Sequence, residues 1–151
     1  MFFMSEHDIQ AEFFRRIRIL EQEEPVLLLL HAIPNQGVGG RQGMIHTKAL
    51  KREGLRKGFP DICLPVPSAD KTFTALYLEF KSDRGRLSPE QFMYLNMLTD
   101  HGAMCAIVRD ASTAVELVME YIKDTGEPDK PLPDRIPPVG KNLELILVCD
   151  N

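Results

Sequence analysis

Apolar side chains at helical spacing open the chain. They recur every three or four residues from Ile9 to Leu20, Ser5 precedes them as a suitable N-cap, and Pro25 follows. This pattern predicts a first helix from about residue 5 to about residue 23. The next run, from Val26 to Ile33, is apolar apart from His31 and of strand length. It predicts a buried strand.

The remaining apolar patterns predict strands and helices in alternation. A glycine-rich loop from Pro34 to Gly40 precedes a short basic helix, two strands joined by a hairpin-like turn, a helix, a strand and a last helix. These elements span, in order, Met44 to Glu53, Asp61 to Val66, Phe73 to Lys81, Ser88 to Asp100, Ala103 to Val108 and Ala111 to Lys123. The order predicts an α/β domain of three layers, in which helices cover both faces of a mixed sheet.

The chain changes character after Asp124. Residues 125–140 contain five prolines and few large apolar side chains, which predicts an extended arm. Leu143 to Cys149 is a short apolar segment that could pair with a strand, including a strand of a second copy. We therefore expect one domain over residues 1–124 and a C-terminal arm over residues 125–151.

Composition restricts the class of protein. With 151 residues, 44% hydrophobic and 26% charged, the chain has the composition of an ordinary globular domain. Its three cysteines form no C-x-x-C pair, which disfavours a disulfide framework or a structural zinc site and indicates a reducing cytoplasm. The start has no basic leader, and the longest apolar run, Val26 to Leu30, is too short for a membrane span.

Charge is distributed unevenly along the chain. The formal net charge of −4 argues against binding to nucleic acid through bulk positive charge. Residues 41–57, however, hold six bases against the single acid Glu53. This basic island is either a solvated surface or a local site for an anionic partner.

Three charged residues point to one chemical site. In Glu79-Phe80-Lys81 the alternation of a strand places Glu79 and Lys81 on the same face. The pattern E-x-K is common by chance, so it requires a partner. Gly58-Phe59-Pro60-Asp61 places Asp61 at the head of the preceding strand. Asp61 and Glu79 can therefore converge on a hard divalent cation such as Mg²⁺, which takes oxygen ligands.

Two further polar side chains face inward on their helices. On a helical wheel Glu6 lies about 60° from Ile9, within the apolar stripe, whereas Glu12 lies at its edge. Stabilising the helix dipole is the alternative role for Glu6. Gln91 faces inward on its own helix, although Ser88-x-x-Gln91 is also a capping box. Both roles of Gln91 are compatible.

In their order along the chain, these residues resemble the motifs of the VRR-NUC domain, a branch of the PD-(D/E)xK nuclease superfamily found alone in phage and bacterial proteins. The resemblance covers about residues 5–110. It implies a restriction-endonuclease-like fold and Mg²⁺- or Mn²⁺-dependent cleavage of DNA phosphodiesters. The motifs are Ser5-Glu6-x-x-Ile9-Gln10, Ile33-Pro34-Asn35, Lys57-Gly58-Phe59-Pro60-Asp61, Glu79-Phe80-Lys81 and Leu87-Ser88-x-x-Gln91.

The resemblance also implies a role for each motif residue. Asp61 and Glu79 are expected to be metal ligands, and Lys81 is expected to position or activate the attacking water. Beside two carboxylates we expect Lys81 to stay protonated, which favours stabilisation of the transition state. The Phe80 carbonyl and the Glu6 carboxylate are further candidate ligands. The expected catalytic residues are Asp61, Glu79, Lys81, Glu6 and Gln91.

On this interpretation the basic island holds DNA beside the site. The chain has no separate DNA-reading domain, so we expect it to cleave branched DNA, as a four-way junction resolvase does, with two sites in a homodimer. The alternatives are a flap nuclease or exonuclease of the same superfamily, and a DNA-binding module without catalysis. A Rossmann-type nucleotide site is disfavoured, because the spacing of Gly37-Val38-Gly39-Gly40 does not fit. The expected DNA contacts are Asn35, Arg41, Lys48, Lys51, Arg52, Arg56 and Lys57.

Overall fold

A computed structural model of the protein describes residues 4–34, 40–125, 131–136 and 141–146, with Gly40, Arg41, Asp134 and Arg135 described by their backbone alone. None of the helices in these ranges is both long and apolar enough to span a membrane. The elements are α1 (Glu6–Leu20), a 3₁₀ helix (Pro25–Leu29), β1 (His31–Ala32), α2 (Gly40–Arg52), β2 (Ile62–Leu64), β3 (Leu76–Phe80), α3 (Pro89–Asp100), β4 (Met104–Val108), α4 (Ala111–Ile122), α5 (Leu132–Arg135) and β5 (Leu143–Ile146).

Five strands form one mixed sheet in the order β1-β2-β3-β4-β5. Neighbouring strands are antiparallel except β3 and β4, which are parallel. The chain passes from β3 to β4 through α3, since parallel neighbours need a crossover connection. The expected α/β class with a mixed sheet is confirmed.

Side-chain alternation in β4 separates the two faces of this sheet. Met104 packs in the larger core with α1 and α4, whereas Cys105 packs in a smaller core with Leu95 of α3. The same period of two places Phe80 of β3 in the larger core. Glu79 therefore faces the side of the sheet that α3 covers.

Capping residues fix the ends of α1 and α3. Ser5 and Asp8 form a reciprocal capping box at the start of α1, and Ser88 and Gln91 form another at the start of α3. Gly102, with φ of 91°, follows the end of α3. These local signals explain why the predicted helix starts agree with the structure.

The apolar run from Val26 to Ile33 is not the continuous strand that its length predicted. Pro25–Leu29 is a 3₁₀ helix, and only His31–Ala32 is a strand. Leu27 and Leu30 are buried, while the two leucines between them are exposed. Burial of every third side chain matches the three-residue turn of a 3₁₀ helix. The strand prediction was wrong because a uniformly apolar run hides this period.

Part of the C-terminal segment joins the core and the sheet. Leu132–Arg135 is a short helix whose first backbone N–H donates to Asp70 at 2.6 Å. Leu143–Ile146 pairs antiparallel with β4 as the fifth strand. The extended arm was therefore a wrong prediction for Leu132–Arg135, which is helical and buries Leu132 in the larger core, whereas the strand pairing of Leu143–Ile146 agrees with the expectation for that segment. The boundary at residue 124 stays a prediction.

Candidate active site

The antiparallel pairing of β2 and β3 brings two acids together. Ile62 pairs with Leu78, so Asp61, which precedes β2, lies beside Glu79 near the end of β3. The Asp61 Oδ2 atom accepts a hydrogen bond from the backbone N–H of Phe80 at 2.8 Å. Strand register thus produces the convergence that the sequence predicted.

Glu79 is a buried carboxylate with incomplete hydrogen bonding. The residue is 1% exposed. Its Oε1 atom accepts a hydrogen bond from Gln91 Nε2 at 2.6 Å and lies 3.3 Å from Lys81 Nζ. Its Oε2 atom is buried and has no hydrogen-bond partner among the residues that the structure describes. Such an atom is costly in a native protein and calls for a ligand.

The electrostatics of the site disfavour the charged form of Glu79. Burial raises the pKa of Glu79 to about 8, and the negative charges of Asp61 and Glu6 act in the same direction. The Lys81 ammonium opposes this shift. Three acids thus face one nearby ammonium, which leaves excess negative charge in a confined space.

Lys81 and Glu6 complete the charged cluster at the end of β3. Lys81 is 6% exposed, and its Nζ lies 4.0 Å from Glu6 Oε1. Glu6 Oε1 also accepts a long hydrogen bond, 3.4 Å, from the Ser82 N–H. Glu12 instead pairs with Arg15 and Arg16. The helical wheel therefore distinguished the acid that reaches the cluster from the one that does not.

Gln91 performs two structural roles with one side chain. Its Oε1 atom accepts a hydrogen bond from the Ser88 N–H at 2.8 Å, which caps α3. Its Nε2 atom donates to Glu79. The cap thereby fixes the amide in the orientation that holds the buried acid.

These side chains line a cleft of about 800 Å³. The start of α1 contributes His7 and Gln10 beside Glu6, and the segment after β1 contributes an apolar wall at Ile33 and Pro34. The cleft therefore combines an acidic floor with cationic and apolar walls. Its lysines are Lys51, Lys57 and Lys81.

The structure divides the predicted DNA contacts into three groups. Lys51 and Lys57 line the cleft. Three others, on α2 and in the loop after it, are exposed but do not line the cleft. Asn35 lies outside the described residues, and the side chain of Arg41 is likewise not described. The three exposed residues outside the cleft are Lys48, Arg52 and Arg56.

The donor set fits a hard divalent cation. The described ranges contain no group of three or more His, Cys, Asp or Glu side chains arranged around a metal position. Magnesium, however, is commonly bound by one or two carboxylates, with waters and substrate phosphates as its other ligands. Asp61 and Glu79 supply such a pair, and a bound cation would give a partner to the Glu79 Oε2 atom, which has none in the described ranges.

Gly58 allows the loop before Asp61 to pack against α3. It adopts φ of 85°, and a Cβ atom there would lie 2.8 Å from Glu90 Cβ. Phe59 holds the same loop by ring contacts with Tyr77 and Tyr94, at centroid distances of 5.9 and 5.2 Å. A residue with a side chain at position 58 would displace the loop that carries Asp61.

Sequence analysis missed Arg109. Its guanidinium donates to the carbonyl oxygens of Ser82 and Gly85, at 2.9 Å for Gly85. This loop follows Lys81, and a Cβ atom on Gly85 would lie 3.0 Å from Glu6 Oε1. Because both acceptors are backbone atoms, no side-chain pattern in the sequence could have indicated this role.

Fold and site together define an α/β domain with a carboxylate centre at a strand end. The family model of the VRR-NUC domain matches residues 21–111, more than half of the chain. The protein therefore belongs to the VRR-NUC domain family and is a member of a nuclease family. The match contains Asp61, Glu79, Lys81 and Gln91, whereas Glu6 precedes it.

A solved structure described as a VRR_NUC domain protein shares the fold. Its TM-score is 0.61 at 17% sequence identity, over 80% of this chain and 89% of that chain. Comparison with the curated proteins gave no match. The family assignment therefore depends on the domain match, and the structural neighbour supports the fold.

Proposed function

We propose that the protein is a DNA endonuclease that hydrolyses phosphodiester bonds and depends on Mg²⁺ or Mn²⁺. One observation carries this proposal: the Oε2 atom of Glu79 is buried without a hydrogen-bond partner among the described residues, next to Asp61 and in a cleft with Lys81. An inert fold gains nothing from a costly cluster of charges at this place.

Asp61 and Glu79 would hold the divalent cation, with the Phe80 carbonyl and Glu6 as further candidate ligands. A cation in such a site neutralises charge on the scissile phosphate and lowers the pKa of its water. Gln91 supports this role, since its hydrogen bond to Oε1 leaves Oε2 of Glu79 available. The Phe80 N–H similarly fixes the carboxylate of Asp61.

Lys81 is the residue suited to contact the reacting atoms. Its ammonium is held between Glu79 and Glu6, at 3.3 and 4.0 Å, and lines the cleft. From there it can donate hydrogen bonds to the attacking water and to a phosphate oxygen whose negative charge grows in the transition state. Removal of Lys81 should therefore lower the rate more than the affinity for DNA.

Lys51 and Lys57 are suited to bind phosphates on either side of the scissile bond. Alanine at both positions should weaken DNA binding and reduce the slope of log affinity against log salt by about two units. Lys123, at the end of α4 and outside the cleft lining, provides a control whose replacement should leave this slope unchanged.

Four-way DNA cleaved by a homodimer is the substrate and assembly that we propose. A chain of this size carries one cluster of Asp61, Glu79 and Lys81, whereas resolution of a junction needs two cuts related by a two-fold axis. Two copies would supply two such sites.

Purified protein incubated with linear, flap and four-way DNA, with EDTA, Mg²⁺ or Mn²⁺, tests the proposal. We expect metal-dependent cleavage that is fastest on four-way DNA, and light scattering should give a dimer. Asp61→Asn should remove cleavage, while Glu12→Gln should not. Cleavage unaffected by EDTA would contradict the metal-dependent mechanism, and equal rates on all three substrates would contradict the junction preference.

A further inference from the structure

Helix α2 presents two bulky apolar side chains to solvent at the rim of the cleft. One side of the helix carries Thr47 and Lys51, which line the cleft. The adjoining side carries Met44 and Ile45, each 63% exposed, and Met44 lies only about 20° from Lys51 on a helical wheel. Their position within one turn of cleft-lining residues places this apolar surface beside the carboxylate centre.

Cations flank the same face of α2. On a helical wheel Lys48 lies about 40° and Arg52 about 80° from Met44, and Ile45 lies about 100° from it. The outer face of α2, defined by these four residues, is therefore both apolar and cationic. Such a surface complements a ligand that has apolar faces and negative charges.

A second exposed apolar surface, on α3, lacks the cations. Met93 and Met97 on α3 are 46% and 52% exposed. Their helix carries the acids Glu90 and Asp100 and no base. An anionic ligand would be repelled from α3 but attracted to α2, although both helices expose bulky apolar side chains.

We infer that the outer face of α2 binds unpaired nucleotides of the DNA substrate, next to the site of cleavage. This inference rests on the proposed nuclease function. The faces of bases are accessible only where nucleotides are unpaired or unstacked, and methionine and isoleucine are among the side chains that insert between base steps. Lys48 and Arg52 contact the phosphates of the same strand, which fixes its path.

The substrate class then becomes DNA with an unpaired or splayed segment, such as a branch point, rather than continuous duplex. In a duplex the stacked bases shield their faces from the two apolar side chains. The apolar pair therefore contributes to selectivity, whereas the cations contribute to affinity for any DNA.

Fluorescence anisotropy tests this inference with two labelled DNAs of equal length, a continuous duplex and the same duplex with a central unpaired segment. All proteins carry Asp61→Asn so that the DNA stays intact, and all buffers contain Mg²⁺. We expect tighter binding to the DNA with the unpaired segment. Met44→Gln with Ile45→Gln should reduce that preference about fivefold to tenfold and leave the salt dependence unchanged.

Two further variants provide the controls. Met93→Gln with Met97→Gln removes equivalent apolar area beside acids and should change neither affinity. Lys48→Ala with Arg52→Ala should weaken binding to both DNAs about equally and reduce the salt slope.

An unchanged preference in the Met44/Ile45 variant, with normal DNA binding, would overturn this inference and leave the proposed function intact. Equal binding of the two DNAs by the protein that carries only Asp61→Asn would also overturn this inference without contradicting the proposed function. If the Met44/Ile45 variant is a monomer in light scattering and keeps the preference for the unpaired segment, the outer face of α2 contacts a second copy instead of DNA. Failure to bind either DNA would contradict the proposed function itself.

Discussion

Replacing Glu79 with glutamine should stabilise the metal-free protein at neutral and alkaline pH. In the folded chain, burial and the charges of Asp61 and Glu6, opposed by Lys81, raise the pKa of Glu79 from 4.5 to about 8. The folded state therefore retains a proton that the unfolded state releases between these two pH values. The contribution of protonated Glu79 to the free energy of unfolding is therefore fully present below about pH 4.5 and is lost as the pH rises through about 8.

The magnitude follows from the difference in pKa. Each unit corresponds to about 1.4 kcal/mol, so at pH 7 this one group lowers the free energy of unfolding by about 3 kcal/mol relative to acid. Glutamine cannot ionise, keeps an oxygen that can accept from Gln91, and places an amide where Oε2 of Glu79 has no partner in the described structure. The free energy of unfolding of Glu79→Gln should therefore exceed that of wild type by about 3 kcal/mol at pH 7 and by little near pH 4.5.

Urea unfolding in EDTA at acidic, neutral and alkaline pH measures this difference. Glu12→Gln is the matched control, because hydrogen bonds from Arg15 and then Arg16 lower the pKa of Glu12 to about 2. The stabilisation from Glu12 is present above pH 4.5 and lost as the pH falls through about 2, so its variant should gain no stability. A Glu79→Gln variant that is less stable at every pH, or whose advantage is independent of pH, would refute the reasoning.

Divalent cations should reduce the stability advantage of Glu79→Gln over wild type. A cation bound only by the folded protein, at ten times its dissociation constant, adds about 1.4 kcal/mol to wild type. Glu79→Gln removes one proposed ligand, so its melting temperature should respond little to Mg²⁺ or Mn²⁺. Thermal melts with and without each cation provide the measurement, and equal shifts in both proteins would contradict the role of Glu79 as a ligand.

Three further substitutions test the supports of the site. Asp61→Asn keeps an acceptor for the Phe80 N–H, so the free energy of unfolding should change little while the cleavage rate falls by at least about a hundredfold. A large drop in melting temperature would contradict this. Gly58→Ala adds a steric clash to backbone strain, so it should lose about 1–3 kcal/mol more in urea unfolding than Gly54→Ala, which has open space at a similarly positive φ. Arg109→Ala should release the loop after β3, lowering kcat about tenfold with little change in KM for DNA; a change in KM alone would indicate a direct DNA contact instead.

Local patterns were sufficient for much of the fold. The capping residues Ser5 and Ser88 identified two helix starts, and the alternation in β3 correctly placed Glu79 and Lys81 on one face. These features depend on neighbours a few residues apart, so they are visible in the sequence. The convergence of Asp61 and Glu79 also followed, because two strands that are successive in the chain commonly pair with each other.

Features that depend on distant partners were not determined by the sequence. The run from Val26 to Leu30 is equally apolar throughout, and only packing against the core decided which leucines are buried. Leu143–Ile146 has the pattern of a strand, but its partner β4 was chosen by the free edge of the folded sheet. Arg109 binds backbone carbonyls 24 and 27 residues away, which no side-chain pattern encodes. The sequence by itself determined the elements and the chemistry of the site, whereas tertiary structure decided which edges, surfaces and backbone atoms meet, because those contacts form only when remote segments pack together.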